Sequence, residues 1–220
     1  MAERITVEVI DREEALSEAR AAVASESRQR FLQRAVVGGG ALVAGGILVG
    51  GLPRLAALAA PSPEQDIAIL NFAALLEYLQ AAFFTEADAK AGLSGEHRHF
   101  ARIVGKHERA HVNLFEKTLG NKIRKKPVFD FGNTTADQER FGATAVMLED
   151  LAVAAYDGQG PLLTKPTLRV AAQIVSVESR HAAWARAIVG KAPAPRAYDP
   201  PATRKQVTRL VARTGFMKSA

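Results

Sequence analysis

Residues 107–115 read HERAHVNLF and residues 177–185 read VESRHAAWA. Each stretch holds a glutamate with a histidine three residues on: Glu108 with His111, and Glu178 with His181. Positions i and i+3 of an α-helix lie about 60° apart around the axis, so each pair converges on one point. One such pair says little, because glutamate and histidine are common on helices. Here each pair is preceded by a lone acid in an apolar helical stretch. Glu77 lies in LLEYLQAAFF, 31 residues before Glu108, and Glu149 lies in MLEDLAVAAY, 29 residues before Glu178.

Working outward, four helical segments carry these residues. The first opens at Ser62-Pro63-Glu64-Gln65, where Ser62 suits an N-cap, Pro63 the first turn and Gln65 a capping box, and it runs to about Ala91. Ser94 opens the second, and Gly120 closes it as a left-handed cap. Thr135, with Gln138 three residues on, opens the third, which ends near Tyr156; the fourth runs from about Pro166 to Gly190. Helices one and two are joined by a few residues, and so are three and four, which predicts two antiparallel hairpins. Between the hairpins lies NKIRKKPVFDFGNT, residues 121–134. Extended, it spans roughly 45 Å at about 3.3 Å per residue, enough to run the length of a bundle. The expectation is an all-α four-helix bundle over residues 61–190, with one long crossover between helices two and three. In it the near-equal intervals bring the two halves of the site to one level, related by a pseudo-two-fold. Residues 191–220 read as a Pro-rich linker and a short amphipathic helix, with Val207, Leu210 and Val211 packing on the bundle.

Apolar residues one turn away surround each glutamate, so all four should point into the core. Four unpaired carboxylates there would be driven to protonate. Two divalent cations balance their four negative charges. We therefore expect Glu77, Glu108, His111, Glu149, Glu178 and His181 to ligate two metal ions, as paired-metal four-helix bundles do. Glu77 and Glu149 would each serve one ion, His111 and His181 would cap opposite ends, and Glu108 and Glu178 would bridge. The competing reading has these residues on solvated faces, paired with Arg102, Arg109 and Arg180. Mixed carboxylate and imidazole suit iron or manganese, and the lack of thiolate disfavours zinc. His107 reads as a surface histidine or a partner of the site, and His97 and His99 read as solvated. Tyr78, Tyr156 and Trp184 read as core, the phenols reaching a polar partner.

Ahead of the bundle, residues 1–34 form a polar leader. Residues 35–52, AVVGGGALVAGGILVGGL, carry no charge and are long enough to cross a bilayer. Residues 35–60 are an export signal, with an A-x-A site at Ala57–Ala59, or an uncleaved membrane anchor. Seven glycines argue against a buried core helix there. SRQRFLQ, residues 27–33, resembles a twin-arginine export motif with Gln29 in place of the second arginine. The chain has no cysteine, which excludes disulfides, thiolate zinc sites and iron–sulfur clusters. Its net charge of +6 sits mostly in loops and the tail, and no reading motif accompanies it, so nucleic acid is not an expected partner. There is no nucleophile–base arrangement and no phosphate-binding loop.

The strings DIAILNFAALLEYLQAAFF, HERAHVNLFEKTLG, FDFGN, TAVMLEDLAVAAYDG and VESRHAAWARAIVG resemble the ferritin-like superfamily, in particular bacterial ferritin-like domains related to plant desiccation-related proteins. The resemblance covers about residues 63–190. It implies the ferritin-like bundle, a di-metal site at the six positions above and small oxidants, oxygen or peroxide, as partners. It leaves the activity open among a di-iron oxidoreductase such as a ferroxidase or peroxidase, a dimanganese catalase-like enzyme, and a non-catalytic stress protein with a structural metal. The expected location is the cell envelope of a bacterium, exported or anchored through residues 35–52, with self-association as a further expectation. The chain departs from rubrerythrins in lacking a Cys-rich module, and from cage ferritins in its N-terminal segment.

Overall fold

The computed structural model describes residues 60–90 and 92–218. The polar leader, the apolar run and the A-x-A site lie outside the described residues. Among the described residues five α-helices follow in order: α1 Pro63–Ala89, α2 Gly95–Leu119, α3 Gln138–Gln159, α4 Lys165–Ile188 and α5 Arg204–Thr214. Two short strands, β1 Val128–Phe129 and β2 Met217–Lys218, pair antiparallel, with Val128 opposite Lys218.

Side-chain pairs fix the helix directions. On α1 and α2, Tyr78 meets Glu116 and Thr85 meets Arg109, so the two run antiparallel. On α3 and α4, Gly142 lies against Val189, Glu149 faces His181, and Gly160 just past α3 lies against Leu168, again antiparallel. Between the hairpins, α1 opposes α3, because Gln80 reaches Glu149 and Tyr156 reaches Glu77. Helices α2 and α3 therefore run parallel, and only a chain crossing the full bundle can join them. That is the ferritin-like connectivity.

Helix α1 is apolar on nearly all faces, as a largely buried helix is. It is the one described helix long and apolar enough to cross a membrane, yet 72% of its apolar window is buried inside the bundle. Ser62 caps it by accepting from Gln65 N–H at 3.2 Å. The return bond of a capping box is not made. Ser94 stands at the N-cap of α2, but its hydroxyl donates to Gln138 Oε1 and ties the starts of α2 and α3 together. Gly120 has φ +53° and ψ −125°, positive but outside the left-handed helical well, and leads into a 3₁₀ turn at Gly120–Lys122.

Helix α3 starts later than its sequence suggests. Its N-cap is Asp137, whose carboxylate accepts from Arg140 N–H at 2.8 Å. Thr135 is engaged elsewhere: its hydroxyl donates to Glu86 at 2.6 Å and Lys90 Nζ donates to it at 2.7 Å. These contacts anchor the end of the crossover. Asn71 anchors the beginning, donating to Lys122 O and accepting from Arg124 N–H. The β1–β2 pair was not legible from the pattern, because β1 is two residues in a charged, Pro-containing loop. In α5, Val207 and Val211 are buried but Leu210 is 44% exposed, so the packed face is narrower than expected.

The core has two apolar layers. One is built on Phe83, Phe84, Phe100 and Phe141, each at most 1% exposed. Rings of Phe83 and Phe141 stack at 5.5 Å, and Phe84 meets Phe100 edge-on at 5.6 Å. Burying each such ring stabilises the fold by about 1.5–3 kcal/mol. The other layer holds Ile69, Phe115, Tyr156, Ala171 and Ile174. Between the layers lies a polar stratum.

Candidate metal centre

All six predicted side chains meet in that stratum. Glu77, Glu108, Glu149 and Glu178 are each 0% exposed, and His181 is 3% exposed. His111 sits at the edge, its side chain 12% exposed. The reading of solvated faces is excluded: Arg102 bonds His99, Arg109 bonds Thr85, and neither reaches a glutamate.

The six groups form two overlapping sets of four. Glu77, Glu108, His111 and Glu178 offer ligand atoms within 4.8 Å of one another, and so do Glu108, Glu149, Glu178 and His181. Glu108 and Glu178 belong to both. Glu108 turns Oε1 to His181 Nδ1 at 3.1 Å and Oε2 to His111 Nδ1 at 3.4 Å. Glu178 turns Oε1 to His111 Nδ1 at 3.1 Å and Oε2 to His181 Nδ1 at 3.8 Å. Each of these carboxylates thus presents one oxygen to either half, the disposition a bridging group needs.

The outer carboxylates are held differently. Glu77 gives Oε1 to the phenol of Tyr156 and Oε2 to His111 Nδ1 at 3.1 Å. Glu149 gives Oε1 to Gln80 Nε2 at 3.1 Å and keeps Oε2 toward His181 at 3.4 Å. In each case a polar side chain from the facing helix of the other hairpin fixes one oxygen and leaves the other turned toward a histidine. Gln80 was missed from sequence, although a lone amide one turn beyond Glu77 in an apolar run was a usable signal.

Do these atoms fit cations? Both oxygens of Glu108, both of Glu178, Glu149 Oε2 and His181 Nδ1 are buried without a hydrogen-bond partner. They lie close together yet are not aimed at one another. Orphaned buried groups of this kind are costly, and a shared cation satisfies them. The separations are ones that a first-row cation about 2.0–2.2 Å from each donor can bring together with small side-chain adjustments. The residues fit a pair of divalent ions.

Protonation reflects the same crowding. Burial pulls His111 and His181 down, but the surrounding carboxylates outweigh it and push both up to about 12. Burial, with the charges of Glu178 and Glu77, holds Glu108 well above the usual carboxylate range. Burial also raises Glu149. Burial opposes ionisation of Glu178 too, yet both histidines contact it and hold it low. Burial, and then the charge of Glu77, keeps the Tyr156 phenol well above its ordinary value, so it stays a donor. Metal-free, the centre holds protons where cations would sit.

Other candidates fall outside the stratum. Tyr78 donates to Glu116 at 2.8 Å. Trp184 is half-buried rather than core: it packs on Phe100, and its Nε1 donates to Glu96. His97 is half-buried against Phe141, not solvated, and His99 is exposed beside Trp184. His107 is exposed and bonds His181 across 2.9 Å. A surface depression of about 470 Å³ between α2 and α4 is lined by His107, His111, Val177, Arg180, His181 and Trp184, and leads to both ligand histidines.

A family model described as a ferritin-like domain matches residues 65–191, which spans α1 to the end of α4. No curated protein matches the chain. The match covers the four bundle helices and every residue of the polar stratum. The chain therefore belongs to the ferritin-like domain family.

Proposed function

We propose that this protein is a non-haem di-iron carboxylate protein that handles iron, oxygen or peroxide. One observation carries the reading: four fully buried glutamates and two histidines in two overlapping sets, with most of the carboxylate oxygens lacking a hydrogen-bond partner. Glu77 and His111 would hold one ion and Glu149 and His181 the other, with Glu108 and Glu178 shared. When bound as a ferrous pair, the metals would supply two electrons to a small oxidant.

The remaining work belongs to the chain. Tyr156 and Gln80 orient the outer carboxylates by fixing one oxygen of each. The phenyl layer on one side and the Ile69–Phe115 layer on the other exclude bulk water. The depression between α2 and α4 admits a small molecule along the histidine edge, where the His111 side chain is 12% exposed. Manganese satisfies the same donor set, and elemental analysis of protein purified from its own source decides between the two metals. Ferrous oxidation or peroxide consumption faster than in a Glu108→Ala control supports an enzyme. A metal-raised Tm without turnover would instead assign the metal a structural role.

The location we propose is the cell envelope of a bacterium, reached through the apolar run at residues 35–52. The desiccation-related affinity suggested by the sequence strings belongs to the same proposal. Fractionation of cells expressing the full chain tests the location: soluble cytoplasmic recovery of the uncleaved chain would refute it.

A further inference from the structure

We propose that His107 is a positioning residue for one half of the centre and makes the two cation positions unequal; this rests on the metal-binding reading above. His107 Nδ1 lies 2.9 Å from His181 Nε2. The ring planes are 16° apart and the centroids 5.2 Å apart. That centroid separation is the nitrogen–nitrogen distance plus one ring radius at each end, so the rings meet edge to edge and nearly in plane. This is hydrogen-bond geometry rather than face-to-face stacking.

The bond has one direction. His181 turns Nδ1 to Glu108 and Glu149, so Nε2 is its far nitrogen. As an imidazolium, His181 carries hydrogen on both nitrogens. As a neutral ligand through Nδ1, it carries hydrogen on Nε2 alone. In both states Nε2–H donates and His107 Nδ1 accepts. The bond therefore persists through metal binding, holding the ring's orientation and tautomer and raising the donor strength of Nδ1.

His111 has no equivalent. Among the described residues its Nε2 has no hydrogen-bond partner, and its side chain is more exposed, 12% against 4% for His181. The reason is written in the chain. His107 directly precedes Glu108, and the pseudo-two-fold places Val177, directly before Glu178, in the corresponding position. Val177 lines the same depression and can accept no hydrogen bond. The Glu149–His181 position is thus the braced one, and the Glu77–His111 position the labile one.

The test is anaerobic titration of the metal-free full chain with Co(II) alone, followed by absorbance, for wild type, His107→Val and His107→Asn. Wild type should bind two ions in two unequal steps. His107→Val should weaken one step by about 10–100-fold and leave the other unchanged. His107→Asn should restore most of the loss, because its Oδ1 falls near the position of Nδ1 and accepts the same hydrogen. The metal-free Tm should fall only slightly in His107→Val, since His107 is exposed and water in the depression can take the freed Nε2–H, and less in His107→Asn. Two ions bound by His107→Val as in wild type, or both steps weakened alike, would overturn the role of His107 while leaving the centre intact. A wild type that binds no Co(II) would overturn the metal-binding reading and this inference with it.

Discussion

The phenol of Tyr156 on α3 donates to Glu77 Oε1 on α1 at 2.5 Å, inside the buried polar stratum. Among the described residues it is the one neutral side-chain donor to that carboxylate, and Glu77 is 0% exposed. Tyr156→Phe keeps the ring and removes the donor. Leaving a buried carboxylate oxygen unsatisfied costs about 1–3 kcal/mol. Urea unfolding of the metal-free variant should show a loss of that order with an unchanged m-value. No change in midpoint would mean that the bond does not hold Glu77.

Asp66 on α1 braces the start of α4 from outside. Its carboxylate accepts from Thr164 N–H at 2.9 Å and from the hydroxyls of Thr164 and Thr167. Hydrogen bonds to a charged acceptor contribute about 1.5–3 kcal/mol each, and they are not additive. Asp66→Ala should therefore lower stability by about 2–4 kcal/mol while leaving metal stoichiometry unchanged. Burial opposes ionisation here, but the threonine bonds outweigh it and hold Asp66 below its ordinary 3.8. The contribution is present above that value and fades as pH falls through the depressed one. In denaturant midpoints, wild type and Asp66→Ala should converge in acid. A variant as stable as wild type at neutral pH would contradict the bracing role.

The metal-free centre should weaken as pH rises. Raised groups contribute stability that is complete below their unfolded values and lost as pH climbs toward their folded ones. His111 and His181 are raised from 6.5 to about 12, and Glu108 and Glu149 are raised from 4.5. Stability of the metal-free protein should therefore begin to decline above about pH 4.5, through Glu108 and Glu149, and decline further above about pH 6.5, through the histidines. With ions in place of protons the decline should disappear, and loading should release protons. Thermal melts across pH 6–10, with chelator and with metal, check this; a flat metal-free profile would contradict it.

Much of this was legible in the sequence because it rests on periodicity. The spacing of Glu77, Glu108, His111, Glu149, Glu178 and His181 within apolar helices placed them on inward faces, and the 14-residue stretch from Asn121 to Thr134 gave the crossover. What stayed hidden depends on side chains from distant segments. Thr135 looked like a cap but is claimed by Glu86 and Lys90, which no local pattern reveals. The β1–β2 pair joins residues about 90 apart. Leu210 has the right hydropathy for the packed face of α5 but the wrong angle, since Val207 and Val211 already fill the contact. Gln80 and His107 carry polar groups whose meaning emerges once Glu149 and His181 are set opposite them.

Glu108 and Glu178 each serve both halves of the centre, so losing either should disrupt both cation positions. Glu108→Ala and Glu178→Ala should each abolish paired binding and keep the circular-dichroism helix content near wild type. Retention of two ions per chain in either variant would remove that residue from the site.

The most direct test of the centre is a metal-loaded crystal of the full chain with anomalous scattering from the bound ion. Two peaks about 3.5–4 Å apart are predicted, one beside Glu77 and His111 and the other beside Glu149 and His181, with Glu108 and Glu178 between them. No peak in the polar stratum, or peaks confined to the protein surface, would contradict it.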